Sequence, residues 1–306
     1  MDNFSFFAAD PHHATRLKPE GTQDSIRDNY QIDRDRILYS KAFRRLRGKT
    51  QVFIAGYDDH VRNRLSHTLE VSQIARTISK ALSLNETLTE AIALGHDLGH
   101  TPFGHVGERV LNDISYGRLV LPEKKYCHEE NDHGFKHNWQ SVRVACNLEY
   151  HNISYPGLNL TNETLWGFLH HSKLTFKKDK VPFFETNYKK LLPDENYWTF
   201  EAMIVAVADE IAQRHHDIED GLITGILDKD NLIEELNSHF STFRDDNLNQ
   251  ILEKAKNNNY QEFYLGMLAK AIVNFYVTKV ISYTKIELEK IKEASSICVV
   301  AFRQPC

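Results

Sequence analysis

The sequence predicts an all-α protein, and three observations carry that expectation. Apolar residues recur at helical spacing through most of the 306 residues, no segment alternates apolar with polar residues as a half-buried strand does, and no repeat or low-complexity tract interrupts the pattern. With 41% hydrophobic residues the chain can bury a large core. The expected organisation is a helical body over residues 1–230, opening with a basic helix, and a helical C-terminal extension over 231–306.

Residues 1–30 read as polar and irregular. The run QIDRDRILYSKAFRRLRGKTQVF is the first helical pattern, with Ile37, Leu38, Phe43 and Leu46 on one side and a strongly basic opposite face. Gly56 and Asp58-Asp59 mark a loop before RNRLSHTLEVSQIARTISKALSL, whose stripe is Leu69, Ile74, Ile78 and Leu82. The next helix runs from about Glu86 into His96-Asp97, with Gly99 placed to end it. Thr101-Pro102 predicts an N-cap followed by proline at the first helical position, for a helix carrying Phe103, Val106, Val110 and Leu111. Tyr116 to Asn138 is loop-like, SVRVACNLEYH resumes a helical pattern, Asn162 to His171 is a helix, and Lys173 to Tyr197, with Pro182 and Pro193, is irregular. Phe200, Met203, Ile204 and Val207 form the apolar face of a helix that presents Asp209, and helical stripes continue from Leu232 to Glu293.

Composition excludes several classes. A net charge of −5 argues against a nucleic-acid coat or a membrane-surface protein, which carry a basic excess. Cys127, Cys146, Cys298 and Cys306 form no CxxC pair and no dense framework, so a reducing compartment is expected. The start MDNFSFFAADPHHATRL has no cationic segment followed by an apolar core, and no membrane span is expected. The predicted location is the cytoplasm.

Chemistry concentrates in EAIALGHDLGHTPFGHVGE, residues 90–108. A buried helix rarely ends in two polar residues unless something binds them. His96 and Asp97, with His67 upstream and Asp209 downstream, make a set of two imidazoles and two carboxylates that suits a borderline or hard divalent ion and leaves positions open for water and substrate. The expected cofactor is Mn2+ or Mg2+, with Fe2+, Co2+ and Zn2+ also compatible. His100 follows on the next turn, and His105 and Glu108 are three apart on one helix face, an arrangement that moves protons near a metal.

Less specific constellations compete. Cys127, His128, His133 and His137 resemble a zinc finger lacking its second cysteine. Asp209, Asp217, Glu219 and Asp220 with His215-His216 offer a second ion site, against the reading in which only Asp209 is a ligand. The arginines of RDRILYSKAFRRLRGK suit either a solvated helix face or phosphate binding by forked guanidinium geometry.

The series RDRILYSKAFRRLRGKTQVF, RNRLSHTLEV, GHDLGHTPFGHVGE, FKHNWQS, LNLTNETLWG and ADEIAQRHHDIEDG resembles the HD-domain deoxynucleoside triphosphate triphosphohydrolases of dGTPase type, in the right order over about residues 21–225. The resemblance implies an HD-domain helical bundle and hydrolysis of a dNTP, dGTP included, to deoxynucleoside and inorganic triphosphate. It implies that His67, His96, Asp97 and Asp209 bind the metal and that His105, supported by Glu108, is the catalytic pair. It also implies that His100, His137 and Arg64 lie at the phosphates, and that Gln51 and Asp217 contact the deoxyribose. The sequence departs from the family where Gln213 replaces a common tyrosine and at SSICVVAFRQPC, which does not continue the preceding helical pattern.

Expected partners are the dNTP, an activating nucleotide or single-stranded DNA, and further copies of the chain in a homo-oligomer. The alternatives are another HD-type nucleotide phosphohydrolase or phosphodiesterase, and a nucleotide or single-stranded DNA-binding protein using Arg44, Arg45, Arg47 and Lys49.

Overall fold

The computed structural model describes residues 5–20, 24–51, 62–119, 134–150, 152–171, 197–240, 243 and 246–301. Among these, the regular structure is helical and β pairing is limited to isolated bridges, Thr50 with Asn63 being one. The α-helices are α1 (Asn29–Tyr39), α2 (Lys41–Arg45), α3 (Arg64–Ala81), α4 (Glu86–Gly95), α5 (Gly104–Ser115) and α6 (His137–Arg143). They continue as α7 (Asn162–His170), α8 (Phe200–Ile223), α9 (Lys229–Phe240), α10 (Asp246–Lys256) and α11 (Gln261–Ala301). The chain divides into two compact units, Met1–Asp209 and Glu210–Cys306. The division falls inside α8, upstream of the expected boundary at residue 230.

The first unit is built around α4. Its sequence ETLTEAIALG is apolar on nearly every side, and Leu88, Ala91, Ile92, Ala93 and Leu94 are all buried, which requires neighbours all round. Helices α1, α3 and α7 supply them. Each fully buried leucine or isoleucine contributes on the order of 1.5–3 kcal/mol. Gly95 lets the α7 ring of Phe168 approach the end of α4, because a Cβ there would collide with the ring.

Polar ties orient the surrounding elements. Asn85 caps α4 by accepting from Thr87 N (3.1 Å) and Leu88 N (3.0 Å), and its own N–H donates to Glu201 Oε1 at 2.9 Å. Glu201 also accepts from Ala9 N at 3.0 Å, so the start of α8 is clamped to the start of α4. Asp33 on α1, fully buried, accepts from Arg16 Nη1 (2.5 Å), Thr161 N (2.8 Å), Thr161 Oγ1 (2.6 Å) and Thr164 Oγ1 (2.7 Å). That carboxylate joins the N-terminal segment and α1 to the N-cap of α7.

Several sequence expectations change. The long first helix is broken at Ser40, which ends α1 and caps α2 by accepting from Phe43 N at 3.1 Å, and a 3-10 turn follows over Leu46–Gly48. A serine hydroxyl competes for backbone donors, and that local bond outweighs the continuous apolar pattern. Leu38 and Leu69 are exposed, while Val71 and Ala75 take the core positions of α3. Helix α4 stops at Gly95, so His96 and Asp97 lie in the turn beyond it. Helix α5 starts at Gly104 rather than at Pro102, with Phe103 in the left-handed region (φ 64°) and Thr101 Oγ1 donating to Gly104 O. Phe103, Val106, Val110 and Leu111 are exposed, and so is Met203 on α8, where Ala202, Val205 and Ala208 are buried instead.

In the second unit, Leu222 of α8 clusters with Ile233 and Phe240 of α9, Leu248, Leu252 and Ala255 of α10, and Leu265, Leu268, Ala271 and Phe275 of α11. The Phe240 and Phe275 rings lie 4.3 Å apart. Within α11 the segment Gln261–Glu293 is long and apolar enough to cross a membrane by length and composition alone. Its apolar residues here form one wall of this core.

Two substitutions test the first unit. Asp33→Ala leaves the buried Arg16 guanidinium without its carboxylate and is expected to cost about 3–5 kcal/mol in chemical denaturation. Gly99 meets the backbone of α6 so closely that an added Cβ would lie 2.5 Å from His137 O. Gly99→Ala is expected to lower stability by about 1–3 kcal/mol, and an unchanged denaturation midpoint would contradict this contact.

Candidate metal centre

The site forms where α4 ends. His96 N donates to Ile92 O at 2.9 Å, and the ring Nδ1 lies 2.6 Å from Ala93 O. A carbonyl only accepts, so Nδ1 carries the hydrogen and Nε2 keeps its lone pair. That Nε2 is buried and has no hydrogen-bond partner among the described residues. His100 N returns to Asp97 O at 3.0 Å, closing the turn. Ser141 Oγ donates to His96 O (2.7 Å) and accepts from Gly99 N (2.9 Å), fastening the turn to α6.

Two other helices converge on it. Asn63 caps α3 in a capping box with Ser66, which places Arg64 and His67 one turn apart on the inner face, both buried. Asp209 arrives on α8, two turns beyond the Glu201 clamp. His67 Nε2 is 3.0 Å from Asp209 Oδ1, and His96 Nε2 is 3.6 Å from Asp97 Oδ1 and 3.8 Å from Asp209 Oδ1. Donors about 2.0–2.2 Å from one ion stand roughly 3–3.6 Å apart, close to these spacings, and ligand atoms of His67, His96 and Asp97 lie within 4.8 Å of one another, as do those of His96, His171 and Asp209. The orphaned His96 Nε2 is the observation that favours a cation there most. The mixed nitrogen and oxygen donors do not select one metal.

Burial pushes both aspartates up, but neighbouring positive groups reverse it. The charges of His96, Arg64, His100 and His67 hold Asp97 well below the usual range. A hydrogen bond from His67 and the charges of His96 and His67 do the same for Asp209. Arg64 Nη1 donates to Asp97 Oδ2 at 2.7 Å, and its Nε donates to Thr50 O at 3.1 Å. Lys49 Nζ donates to Leu98 O at 3.1 Å, and burial lowers its pKa to about 8 although Asp97 opposes the shift. Gln51, at the end of the same segment, has a buried Oε1 with no hydrogen-bond partner among the described residues.

A histidine cluster borders the turn. The His100 and His137 rings stack with centroids 4.7 Å apart, and the exposed His105 lies 5.2 Å from His100 and 5.9 Å from His137. Glu108 shares a helix face with His105, but its carboxylate bonds to His137, with Oε2 2.5 Å from Nδ1 and 3.3 Å from the backbone N. Burial raises Glu108, and the bond from His137, its charge and that of Lys136 bring it down to about 2. His137 comes within reach from α6, a different element, which a register argument within one helix does not reveal.

His171 belongs to this region and was not singled out from the sequence. It is buried at the end of α7, its ring 4.9 Å from that of His96 and 5.3 Å from that of His137. The available signal was the His170-His171 doublet closing an apolar helix. Asp217 lies on α8 two turns past Asp209, in the second compact unit. Asp217, Glu219 and Asp220 join no metal-holding group of three or more side chains among the described residues. Cys127, His128 and His133 lie outside the described residues. Arg34, Arg36 and Arg45 of the basic run are engaged by Asp35 and Glu90, by Glu20 and Leu158 O, and by Glu149.

Burial lowers His100 to about 2 and His171 to about 3, against 6.5 for the free side chain. A depressed folded pKa means that the unfolded chain binds protons first as pH falls, so the stability linked to these neutral imidazoles is complete above pH 6.5 and is lost below it. Glu108, also depressed, acts in the same direction below pH 4.5. In the presence of chelator, the thermal midpoint is expected to fall between pH 7.5 and pH 5.0. A constant midpoint over that range would contradict the buried, neutral assignment.

The family model described as HD domain matches residues 64–214. The deoxyguanosinetriphosphate triphosphohydrolase-like protein of Clostridium perfringens (strain 13 / Type A) is 51% identical over 209 residues, covering 68% of this chain and 51% of the relative. The protein of the same description from Clostridium tetani is 41% identical over 246 residues, 80% of this chain and 61% of the relative. That of Roseobacter denitrificans is 42% identical over 233 residues, 74% and 55% respectively. The chain thus spans about half the length of the curated relatives it matches. The match begins at Arg64, includes the buried His96-Asp97 turn and extends past Asp209, and the chain accordingly belongs to the HD-domain family, related through its matched residues to the deoxyguanosinetriphosphate triphosphohydrolase-like proteins.

Proposed function

We propose that the chain is a metal-dependent hydrolase that converts a deoxynucleoside triphosphate, dGTP included, to the deoxynucleoside and inorganic triphosphate. The observation that supports this reading most is the adjacency of two groups around one turn: the His67, His96, Asp97 and Asp209 donors, and the band formed by Arg64, Lys49, His100, His105 and His137. A centre of this kind needs a cation at the reacting phosphate and further positive or donor groups along the phosphate chain. A bound Mn2+ or Mg2+ would polarise a phosphate oxygen and lower the pKa of a coordinated water.

The protein groups have separable tasks. Arg64 neutralises phosphate charge in exchange for part of its bond to Asp97, as forked guanidinium geometry allows. Glu108 fixes His137 with its Nδ1–H turned to the carboxylate and its Nε2 towards His171 Nε2, 3.3 Å away. Breaking the bond between the α-phosphorus and O5′ requires a proton delivered to O5′, and His105, exposed and imidazole-borne, is the group for that transfer. Gln51 Oε1, a buried acceptor in want of a donor, suits the sugar 3′-hydroxyl. Asp217 is assigned to the same sugar by resemblance alone. Of the residues that motivate a reading as a single-stranded DNA-binding protein, Arg45 is engaged by Glu149 and Lys49 by Leu98 O.

Incubation with each dNTP and with GTP, alone and in mixtures that supply an activating nucleotide, tests the reading in Mn2+ or Mg2+. Triphosphate and deoxynucleoside are the expected products, absent with Asp97→Ala. His105→Ala is expected to lower turnover by about 10²–10⁴-fold while retaining Mn2+. Release of phosphate or pyrophosphate instead of triphosphate would reassign the chain to another class of HD phosphohydrolase.

A further inference from the structure

The short segment from Lys49 to Gln51 is fastened on two sides, and both fastenings lead to Asp97. On one side Arg64 N donates to Lys49 O at 3.1 Å and Arg64 Nε to Thr50 O at 3.1 Å, while Nη1 of the same guanidinium donates to Asp97 Oδ2 at 2.7 Å. On the other side Lys49 Nζ donates at 3.1 Å to the carbonyl of Leu98, the residue after Asp97. Hydrogen bonds and main chain thus close a ring, from Asp97 through Arg64 and Thr50 to Lys49 and back through Leu98. Gln51 is attached beside that ring. The start of α5 lies against the same segment, since a Cβ on Gly104 would stand 3.6 Å from Gln51 O.

The two halves of the ring respond differently to an anionic ligand. A phosphate competes with Asp97 and Thr50 O for the guanidinium of Arg64, so the arginine half slackens when the site is loaded. The lysine half rests on a main-chain carbonyl, and an ammonium carries three donors, so one N–H can stay on Leu98 O while another meets a phosphate. Burial lowers the Lys49 ammonium to about 8, against the charge of Asp97, so it stays cationic at neutral pH. Gln51 Oε1 is a buried acceptor with no partner among the described residues, and such an atom rewards a ligand hydroxyl only when held at the right reach.

We propose that Lys49 is a positioning residue, whose bond to Leu98 O holds Gln51 at a fixed distance from the Asp97 turn so that Gln51 Oε1 accepts from the sugar 3′-hydroxyl while the phosphates lie at that turn. Lys49 then determines specificity at the far end of the substrate from the reacting phosphorus. This inference rests on the reading of the substrate as a deoxynucleoside triphosphate. A role confined to phosphate charge makes a different prediction, because that charge is felt equally with and without a 3′-hydroxyl.

Rates of triphosphate release in Mn2+ from each dNTP and from its 2′,3′-dideoxy counterpart test the proposal. The unsubstituted chain is expected to favour the deoxy substrate by at least about tenfold in kcat/KM. Lys49→Met, similar in length but without a donor, is expected to reduce that preference to about threefold or less, chiefly by raising KM for the deoxy substrate. In a Gln51→Ala chain the preference is already lost, and adding Lys49→Met is expected to change it no further. If Lys49→Met slows both substrates alike and leaves the preference intact, Lys49 serves phosphate charge alone and the proposal falls. Triphosphate release without any preference in the unsubstituted chain would also overturn it, while leaving the reading of the reaction in place. No triphosphate from any deoxy substrate would overturn that reading and the proposal with it. Where Lys49→Met loses its helical circular dichroism, Lys49→Gln, whose side chain is too short to span to Leu98 O, is judged by the same ratio.

Discussion

The rest of the structure depends on a constraint at the end of α4: the chain must stop a largely apolar helix and deliver two polar side chains into its own core. Burying Asp97 beside Asp209 costs several kcal/mol per charge unless each finds positive or donor groups. Arg64 and the imidazoles of His67 and His96 meet that demand from different elements. The turn can stay in place only because Gly99 allows the backbone of α6 to press against it and Ser141 pins both sides. An apolar α4 and a polar turn are therefore one design. The helix supplies the rigidity, and the turn supplies the chemistry that rigidity makes useful.

Orientation is supplied at a distance. Glu201 fastens α8 to the N-terminus of α4, so the two helices that carry Asp209 and lead into His96 share a reference point at their starts. Asp33 plays a similar part for α1 and α7, whose far end carries His171. Both carboxylates are fully buried, and both bind backbone or hydroxyl donors from segments far apart in sequence. Such bonds have little to offer unless all the partners are present, so they oppose alternative packings of helices that apolar contact alone would tolerate.

Helix content was legible because apolar periodicity is a local property. The stripes of α3 and α4 can be read from a few neighbouring residues. Where the reading went astray, the competing bond was also short but directional. Ser40 broke a helix whose pattern ran on, and Thr101 turned its hydroxyl to Gly104 O instead of capping at Pro102. Leu38, Leu69 and the apolar face of α5 show the converse: periodicity marks which residues share a face, while burial depends on whether another element covers it.

By itself the sequence determined the helical class and picked out the donor types of the candidate metal centre, because both follow from residue identity and near-neighbour spacing. It could place His105 and Glu108 on one face, since that is helix geometry. Tertiary structure decided that Glu108 bonds to His137, that His171 joins the cluster, and that the arginines of the first helix are spent on internal carboxylates. Those outcomes rest on distances between side chains from separate helices. A hydrogen bond between them forms only within a few tenths of an ångström of its optimum, and nothing in local spacing specifies a length so fine.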